Sequence, residues 1–295
     1  MKTIISLLLP TRKRVKLAIR FLESIAKTAA FPEYIEVVIY IDEDDILSYD
    51  IDYKGLKIIK IIGQQSTMGT YNSECLAAAT GDIIILVNDD VIIRTYAWDE
   101  HIRNLDDSIS DKIYLAYCND LFKKKSLSTF PILSKKTCDI LQQPFHPAYV
   151  GSFIDCHVMD IFKRLEHHGF KRIFYFKDVV FEHLHYRVKK AEFDSVYQAR
   201  KRFDDDLNFI SLVSTRKKSF IFLKNEILGK KSNIEQLSLC KTIDYSLNPI
   251  KMFFLFIKTF LFDHTLPIRW RLFLFLWFFV RYIVSVTIKI KNQIL

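Results

Sequence analysis

Glycine and proline are scarce in this 295-residue chain, at seven each, which excludes a collagen-like repeat or a Gly/Pro-rich disordered polypeptide. Cysteine is rarer still. The five thiols (Cys75, Cys118, Cys138, Cys156 and Cys240) are odd in number and show no C-x-x-C spacing. That argues against a disulfide framework or a structural zinc site and fits a reducing compartment. Internal repeats and low-complexity linkers are missing as well. No apolar run reaches the roughly 17–25 uninterrupted residues of a membrane-spanning helix. The short apolar stretch Ile4–Leu9 lacks a small-residue cleavage site and meets charges at once. It reads as a first buried strand, not as a signal peptide.

What is present is a hydrophobic half: 50% of the residues are apolar, enough for one large domain or a domain with an appendage. The net charge of +9 is unevenly placed. From Lys241 onward there are eight Lys or Arg against two Asp, whereas the preceding 240 residues are nearly balanced. A basic excess confined to the tail points to an anionic membrane surface and away from nucleic acid.

The first hundred residues alternate strand and helix signals. Strands are expected at Ile4–Leu9, Ile35–Ile41, Leu56–Ile62 and Asp82–Val87, and helices at Val15–Ala26 and Tyr71–Ala79. The first helix shows one apolar face through Val15, Ala18, Ile19, Leu22, Ile25 and Ala26. This order predicts an α/β fold with a mostly parallel, doubly wound sheet. Strand-like runs at Ile113–Tyr117 and Val179–Leu184 flank a helical pattern at Asp155–His167, and residues 189–248 are charged and mostly helical in pattern.

Chemistry concentrates at strand ends. Gly81-Asp82-Ile83-Ile84-Ile85-Leu86-Val87-Asn88-Asp89-Asp90 is a doubly buried strand that stops at two carboxylates. Hard oxygen ligands at the carboxyl edge of a sheet suit a divalent cation that takes its remaining ligands from phosphates. Leu9-Pro10-Thr11-Arg12-Lys13-Arg14 closes the first strand and opens the first helix, whose N-terminus is a ready anion site with Arg12 and Arg14 in reach of a phosphate. A capped helix with exposed basic residues is the plainer alternative. In Phe181-Glu182-His183-Leu184-His185-Tyr186, the two histidines share one side if the segment is a strand.

Together these pieces resemble the GT-A glycosyltransferases, in particular the large family 2, over about residues 3–190. The marks are Leu9-Pro10-Thr11-Arg12, Ile41-Asp42-Glu43-Asp44, Gly69 to Asn72 before a helix, and Thr80-Gly81-Asp82 leading into Asn88-Asp89-Asp90. The resemblance implies a Rossmann-like catalytic domain over 1–190; the sequence pattern adds a helical extension over 191–248 and membrane-associating helices over 249–295. It implies that Asp42 accepts from a uracil imide, with Asp44 near the nucleoside, and that Pro10 and Thr11 cradle the nucleotide. Asn88-Asp89-Asp90 stands in place of the family's D-x-D motif, with Asp90 on the metal and Asp89 toward ribose or metal. The cofactor implied is Mg²⁺ or Mn²⁺. Asp155 fits the slot of the catalytic base, although Ile154 replaces the usual first acid, and it could equally cap the helix that follows. One of His183 and His185, with a lean to His185, is implied as a further metal or diphosphate contact.

In the tail, Ile250–Phe262 and Leu272–Ile290 are dense in Phe and edged by Lys and Arg, with Arg281 interrupting the second run. The composition suits helices lying in the headgroup boundary; a short span or a buried hairpin are the alternatives. The function expected is transfer of a sugar, with inversion, from a nucleotide-sugar donor such as a UDP-sugar to a lipid-linked or surface-polysaccharide glycan acceptor. Two other classes compete. Asp42-Glu43-Asp44 after a strand also fits a haloacid-dehalogenase-like phosphatase, although Ile46 stands where that family wants Thr or Val. A non-catalytic membrane-docking nucleotide-binding module is the third.

Overall fold

The computed structural model describes residues 2–185, 190, 203–230, 246 and 248–294. It falls into two compact units, Met1–Met159 with Arg172–Arg200 and Asp160–Lys171 with Lys201–Leu295. Tyr186, Cys240 and most of the expected helical extension lie outside the described residues.

The first unit is built on strands β1 (Ile5–Thr11), β2 (Ile35–Asp42), β3 (Lys57–Gly63), β4 (Ile83–Leu86), β5 (Val91–Ile93), β6 (Leu115–Asn119), β7 (Ile132–Ser134) and β8 (Ile173–His183). Their order is β3-β2-β1-β4-β7-β6-β8-β5. β1 pairs in parallel with β2 and β4, and β2 with β3, while β7 runs antiparallel to both β4 and β6. The expected mostly parallel sheet is present, with β5 and β7 as its reversed members. Both are three residues long, too short for a periodic signal. β1, β2 and β4 are aliphatic and buried on both faces, as parallel strands covered by helices must be.

Helices α1 (Val15–Thr28), α2 (Met68–Ala78), α3 (Trp98–Ser108) and α4 (Lys135–Leu141) pack around the sheet, and α5 (Ile154–His167) starts in this unit. α1 buries Ala18, Phe21, Leu22, Ser24 and Ile25, the face its apolar spacing marks out. Its partners in the core include Ile5, Leu7, Ile83 and Trp98.

Opposite the strand ends that carry the acidic motifs, Glu36 forms a buried polar knot. It accepts from Ser6 Oγ at 2.7 Å, from the Thr80 amide and hydroxyl at 2.6 Å each, and from Lys57 Nζ at 2.7 Å. Burial by itself raises the Glu36 pKa, but these donors outweigh it and hold the carboxyl at about 2. Because the folded-state value lies below the unfolded one, its stabilisation is complete above about pH 4.5 and is lost as pH falls toward 2. Glu36→Ala strands several buried donors at once and is expected to cost about 3–5 kcal/mol in denaturant melts at pH 7. The cost shrinks when the melts are repeated near pH 3.

The second unit holds α6 (Asp204–Ser211), α7 (Val213–Ile227), α8 (Pro249–Phe256), a π-helical turn at Ile257–Leu261 and α9 (Ile268–Ile294), with the later turns of α5. Asn248 caps α8 by accepting from the Ile250 and Lys251 amides, with Pro249 in its first turn. A second buried knot centres on Asp160, which accepts from Arg164 Nη2 and Arg216 Nε at 2.8 Å each and Trp270 Nε1 at 3.0 Å. Arg164 reaches on to Asp263 at 2.9 Å. Burial lifts the Asp160 pKa, and the two arginines more than cancel that, leaving it at about 2. α9 runs 27 residues without a break. Arg281 interrupts its hydropathy but not its helix, because the guanidinium is bound by Asp206 Oδ1 at 2.7 Å.

Candidate active site

The sheet order puts the carboxyl ends of β2, β1 and β4 side by side, and the motif residues sit there. Thr11 closes β1 opposite Ile41. Its hydroxyl donates to Asp89 Oδ2 at 2.9 Å, while Arg14 Nη1 donates to Asp89 Oδ1 at 3.1 Å. Asp89 is thus gripped on both oxygens by the turn between β1 and α1. Burial raises its pKa to about 6, with Arg14 opposing and neighbouring Asp90 adding to the rise. Asn88, half-buried, precedes this turn, and Pro10 is half-buried one residue before Thr11.

Arg12 spans the gap to β2. It donates to Asp42 Oδ2 and forms a two-pronged pair with Asp44 at 2.6 and 2.7 Å. The other oxygen of Asp42 is buried and has no hydrogen-bond donor of good geometry among the described residues, with the Tyr71 side chain close to the carboxylate. Lys13, with φ of +54°, gives its amide to Asp45, which also accepts from Ser48 Oγ at 2.6 Å. The two arginines expected at a phosphate therefore hold site carboxylates, and part of the amide cradle at α1 is taken up by β2's loop.

On the other side of β4, β5 leads away from Asp90 and pairs antiparallel with β8, matching Val91 to His183. The Leu184 amide donates to the Asp90 carbonyl at 2.8 Å, and His183 Nε2 lies 3.3 Å from Asp90 Oδ1. The two histidines lie side by side, ring centroids 5.1 Å apart. His183 meets the carboxylate, whereas His185 stacks on Phe122 with ring centroids 5.4 Å apart.

A loop after β6 encloses the histidines. Asp120 Oδ1 accepts the amides of Phe122, Lys123 and Lys124 at 3.0, 2.8 and 2.6 Å, and Oδ2 accepts from Thr129. The Asp120 carbonyl takes the His183 amide at 3.1 Å. Sequence reading passed over this loop, although an Asn119-Asp120 pair directly after a strand run is a turn signal of the same kind as Asn88-Asp89-Asp90.

Asp155 lies inside the first turn of α5, which begins at Ile154, so it is not the residue that starts the helix. Its Oδ1 accepts the adjacent Cys156 amide at 2.8 Å. Part of the residue reaches solvent, yet the carboxyl itself is closely surrounded. Burial pushes its pKa up to about 6, against the pull of the Cys156 amide, Lys123 and His183. Ser128 Oγ donates to the Asp155 carbonyl at 3.3 Å. Phe153, just before α5, has φ of +68°. A bulky residue in the left-handed region is uncommon and marks a turn held by its surroundings. Asn72 is buried in α2 and donates to the Met68 carbonyl at 2.9 Å. The N-terminus of α2 is covered by the loop ahead of Asp155, with Met68 and Gly69 amides on the Val150 and Tyr149 carbonyls. The approach is so close that a Cβ on Gly69 would sit 2.1 Å from the His146 carbonyl.

Among the described residues no three His, Cys, Asp or Glu side chains converge on one point. Asp90 and His183 supply one carboxylate and one imidazole. Such a donor pair fits a divalent ion that draws its other ligands from diphosphate oxygens and water.

No protein-family model matches the chain, and no curated protein matches it. Among solved structures it is similar to S. aureus TarS 1-349 in complex with UDP-GlcNAc, at TM-score 0.52 and 14% identity, covering 77% of this chain and 73% of that one. Mannosyltransferase PcManGT from Pyrobaculum calidifontis, in complex with GDP-Man and Mn²⁺, is similar at TM-score 0.47 and 13% identity, with 78% and 75% covered. Glucosyl-3-phosphoglycerate synthase from Mycobacterium tuberculosis, with Mn²⁺, UDP-glucose and phosphoglyceric acid, is similar at 0.46 and 14%, with 83% and 88% covered. The first of these supports the fold, and the chain has the GT-A arrangement that its motifs resemble.

Proposed function

We propose that this GT-A chain is a metal-dependent glycosyltransferase that moves a sugar from a nucleotide-sugar donor, a UDP-sugar in the first place, to a lipid-linked or surface-polysaccharide acceptor at the cytoplasmic face of a membrane. The observation that carries the reading is the meeting of Asp90 and His183 at the carboxyl edge of the sheet, flanked by the Asp89 and Asp42 clusters. The TarS structure, which shares the fold, contains UDP-GlcNAc.

In this reading Asp42, whose second oxygen is buried with no donor of good geometry among the described residues, accepts the imide N–H of the base. Arg12 and Arg14 fix the carboxylates against which ribose and diphosphate lie. Asp90 and His183 would hold Mg²⁺ or Mn²⁺, which when bound would neutralise the charge developing on the departing diphosphate. Asp155 takes the proton from the acceptor hydroxyl as that oxygen bonds to the anomeric carbon and the bond from that carbon to the diphosphate oxygen breaks. Direct displacement with inversion is what the resemblance to family 2 implies, with Asp155 in the slot of the base.

A thermal-shift screen of nucleotide sugars with Mn²⁺ or Mg²⁺ tests the proposal. A UDP-sugar is expected to raise the melting temperature by several degrees, as occupancy well above Kd stabilises by about 3 kcal/mol, and EDTA is expected to remove the effect. Stabilisation by no nucleotide sugar, together with release of phosphate from small esters, would replace this reading with the phosphatase.

A further inference from the structure

Helices α8 and α9, we infer, dock in the plane of an anionic phospholipid bilayer, with α9 lying along the surface and not passing through it. This deepens the membrane-linked function proposed above by naming the docking face and what keeps it from crossing. By length and composition Ile268–Ile288 would suffice to span a membrane, and most of that stretch is uncovered. One side of α9 is packed. Phe278 meets Phe209 and Phe260 at 5.2 and 5.1 Å, Tyr282 meets Phe256 at 5.9 Å, and Leu274 is fully buried.

The other side carries Ile268, Leu272, Leu276, Val280, Val284 and Ile288 at strict four-residue spacing, all exposed, with Leu276 at 57% and Val280 at 58%. α8 extends this surface. Phe253, itself exposed, packs edge-on against Phe275 and Phe279 of α9, next to exposed Ile250 and Phe254. A continuous apolar patch of this kind is covered in a working protein.

Charge selects the occupant. Lys251, Lys258 and Arg269 are exposed along this surface, and the only acid between residues 249 and 294 is Asp263, which is buried. A second copy would oppose like charges, whereas anionic headgroups complement them. Arg281 decides the orientation. It sits well inside the potential span, and its guanidinium binds both Asp206 oxygens at 2.7–3.1 Å. Crossing would carry that pair, with Asp205 and Asn208 of α6, into hydrocarbon, where polar groups are costly. Lying flat leaves the pair on the protein side.

Flotation of the full chain with vesicles of 70% phosphatidylcholine and 30% phosphatidylglycerol tests this docking. Binding is expected, with release by carbonate at pH 11 and loss on vesicles of phosphatidylcholine alone. Leu276→Glu with Val280→Glu should weaken binding roughly tenfold or more. Should that pair compromise folding, Lys251→Gln, Lys258→Gln and Arg269→Gln change only exposed charges, and each should weaken binding by roughly fivefold. Retention after carbonate would mean a spanning helix, and a vesicle-indifferent dimer in light scattering would mean a self-interface; either overturns the proposal. Hydrolysis of a nucleotide sugar by the free protein reads out the catalytic assignment separately. Intact vesicle binding without hydrolysis leaves the docking in place and removes only the glycosyltransferase reading.

Discussion

Asp90→Ala is expected to lower nucleotide-sugar turnover by on the order of 10³-fold, since a metal bound at the departing diphosphate is worth several kcal/mol of transition-state stabilisation. The loss should fall on kcat, with binding of the nucleoside part retained through the Asp42 side of the site. His183→Ala, which leaves the carboxylate in place, should lose less, and raising the Mn²⁺ concentration should recover part of it. No such rescue is expected for Asp90→Ala. Equal loss in both variants without metal rescue would show that the 3.3 Å Asp90–His183 approach serves packing alone. Turnover unchanged in Asp90→Ala would point to the non-catalytic module.

Asp155→Asn is expected to separate activity from stability. A general base contributes about 10²–10⁴-fold to kcat, and under the proposed role of Asp155 that factor should vanish with nucleotide binding unchanged. The wild-type rate should rise with pH through about 6, where the carboxyl ionises, and the limb should be missing in the variant. Stability moves the opposite way. The folded-state pKa lies above the unfolded value near 3.8, so the folded protein holds the proton more tightly. Folding stability therefore falls as pH rises between about 4 and 6. The neutral amide avoids that cost, and Asp155→Asn should be about 1–3 kcal/mol more stable than wild type at pH 7. A variant less stable than wild type, with an intact pH profile, would assign Asp155 to holding the α5 turn.

The left half of the sheet was legible because β1, β2 and β4 are doubly buried and therefore unbroken aliphatic runs, each ending in polar chemistry. Pro10-Thr11-Arg12 and Asn88-Asp89-Asp90 stand out by that punctuation, while Asp42 was singled out by the resemblance to family 2. The right half was harder. β5 and β7 have three residues each and carry no period, so the ladder that sets His183 beside Asp90 could not be foreseen. The partners of Arg12 and Arg14 also depend on strand order, because they join residues 30 to 75 positions apart. In the tail, Arg281 read as an interruption because hydropathy counts a charge the same whether or not an acid 75 residues away binds it.

Helix α5 carries Asp155 at its start and Asp160 and Arg164 further on, and it has a practical consequence for anyone seeking a tractable soluble fragment. Removing residues 201–295 would strip Asp160 and Arg164 of Arg216, Asp263 and Trp270 together, leaving two former interior ions on the same rod that carries Asp155. A shortened recombinant version should therefore be judged by its Asp155 pH limb before its inactivity is blamed on a missing acceptor.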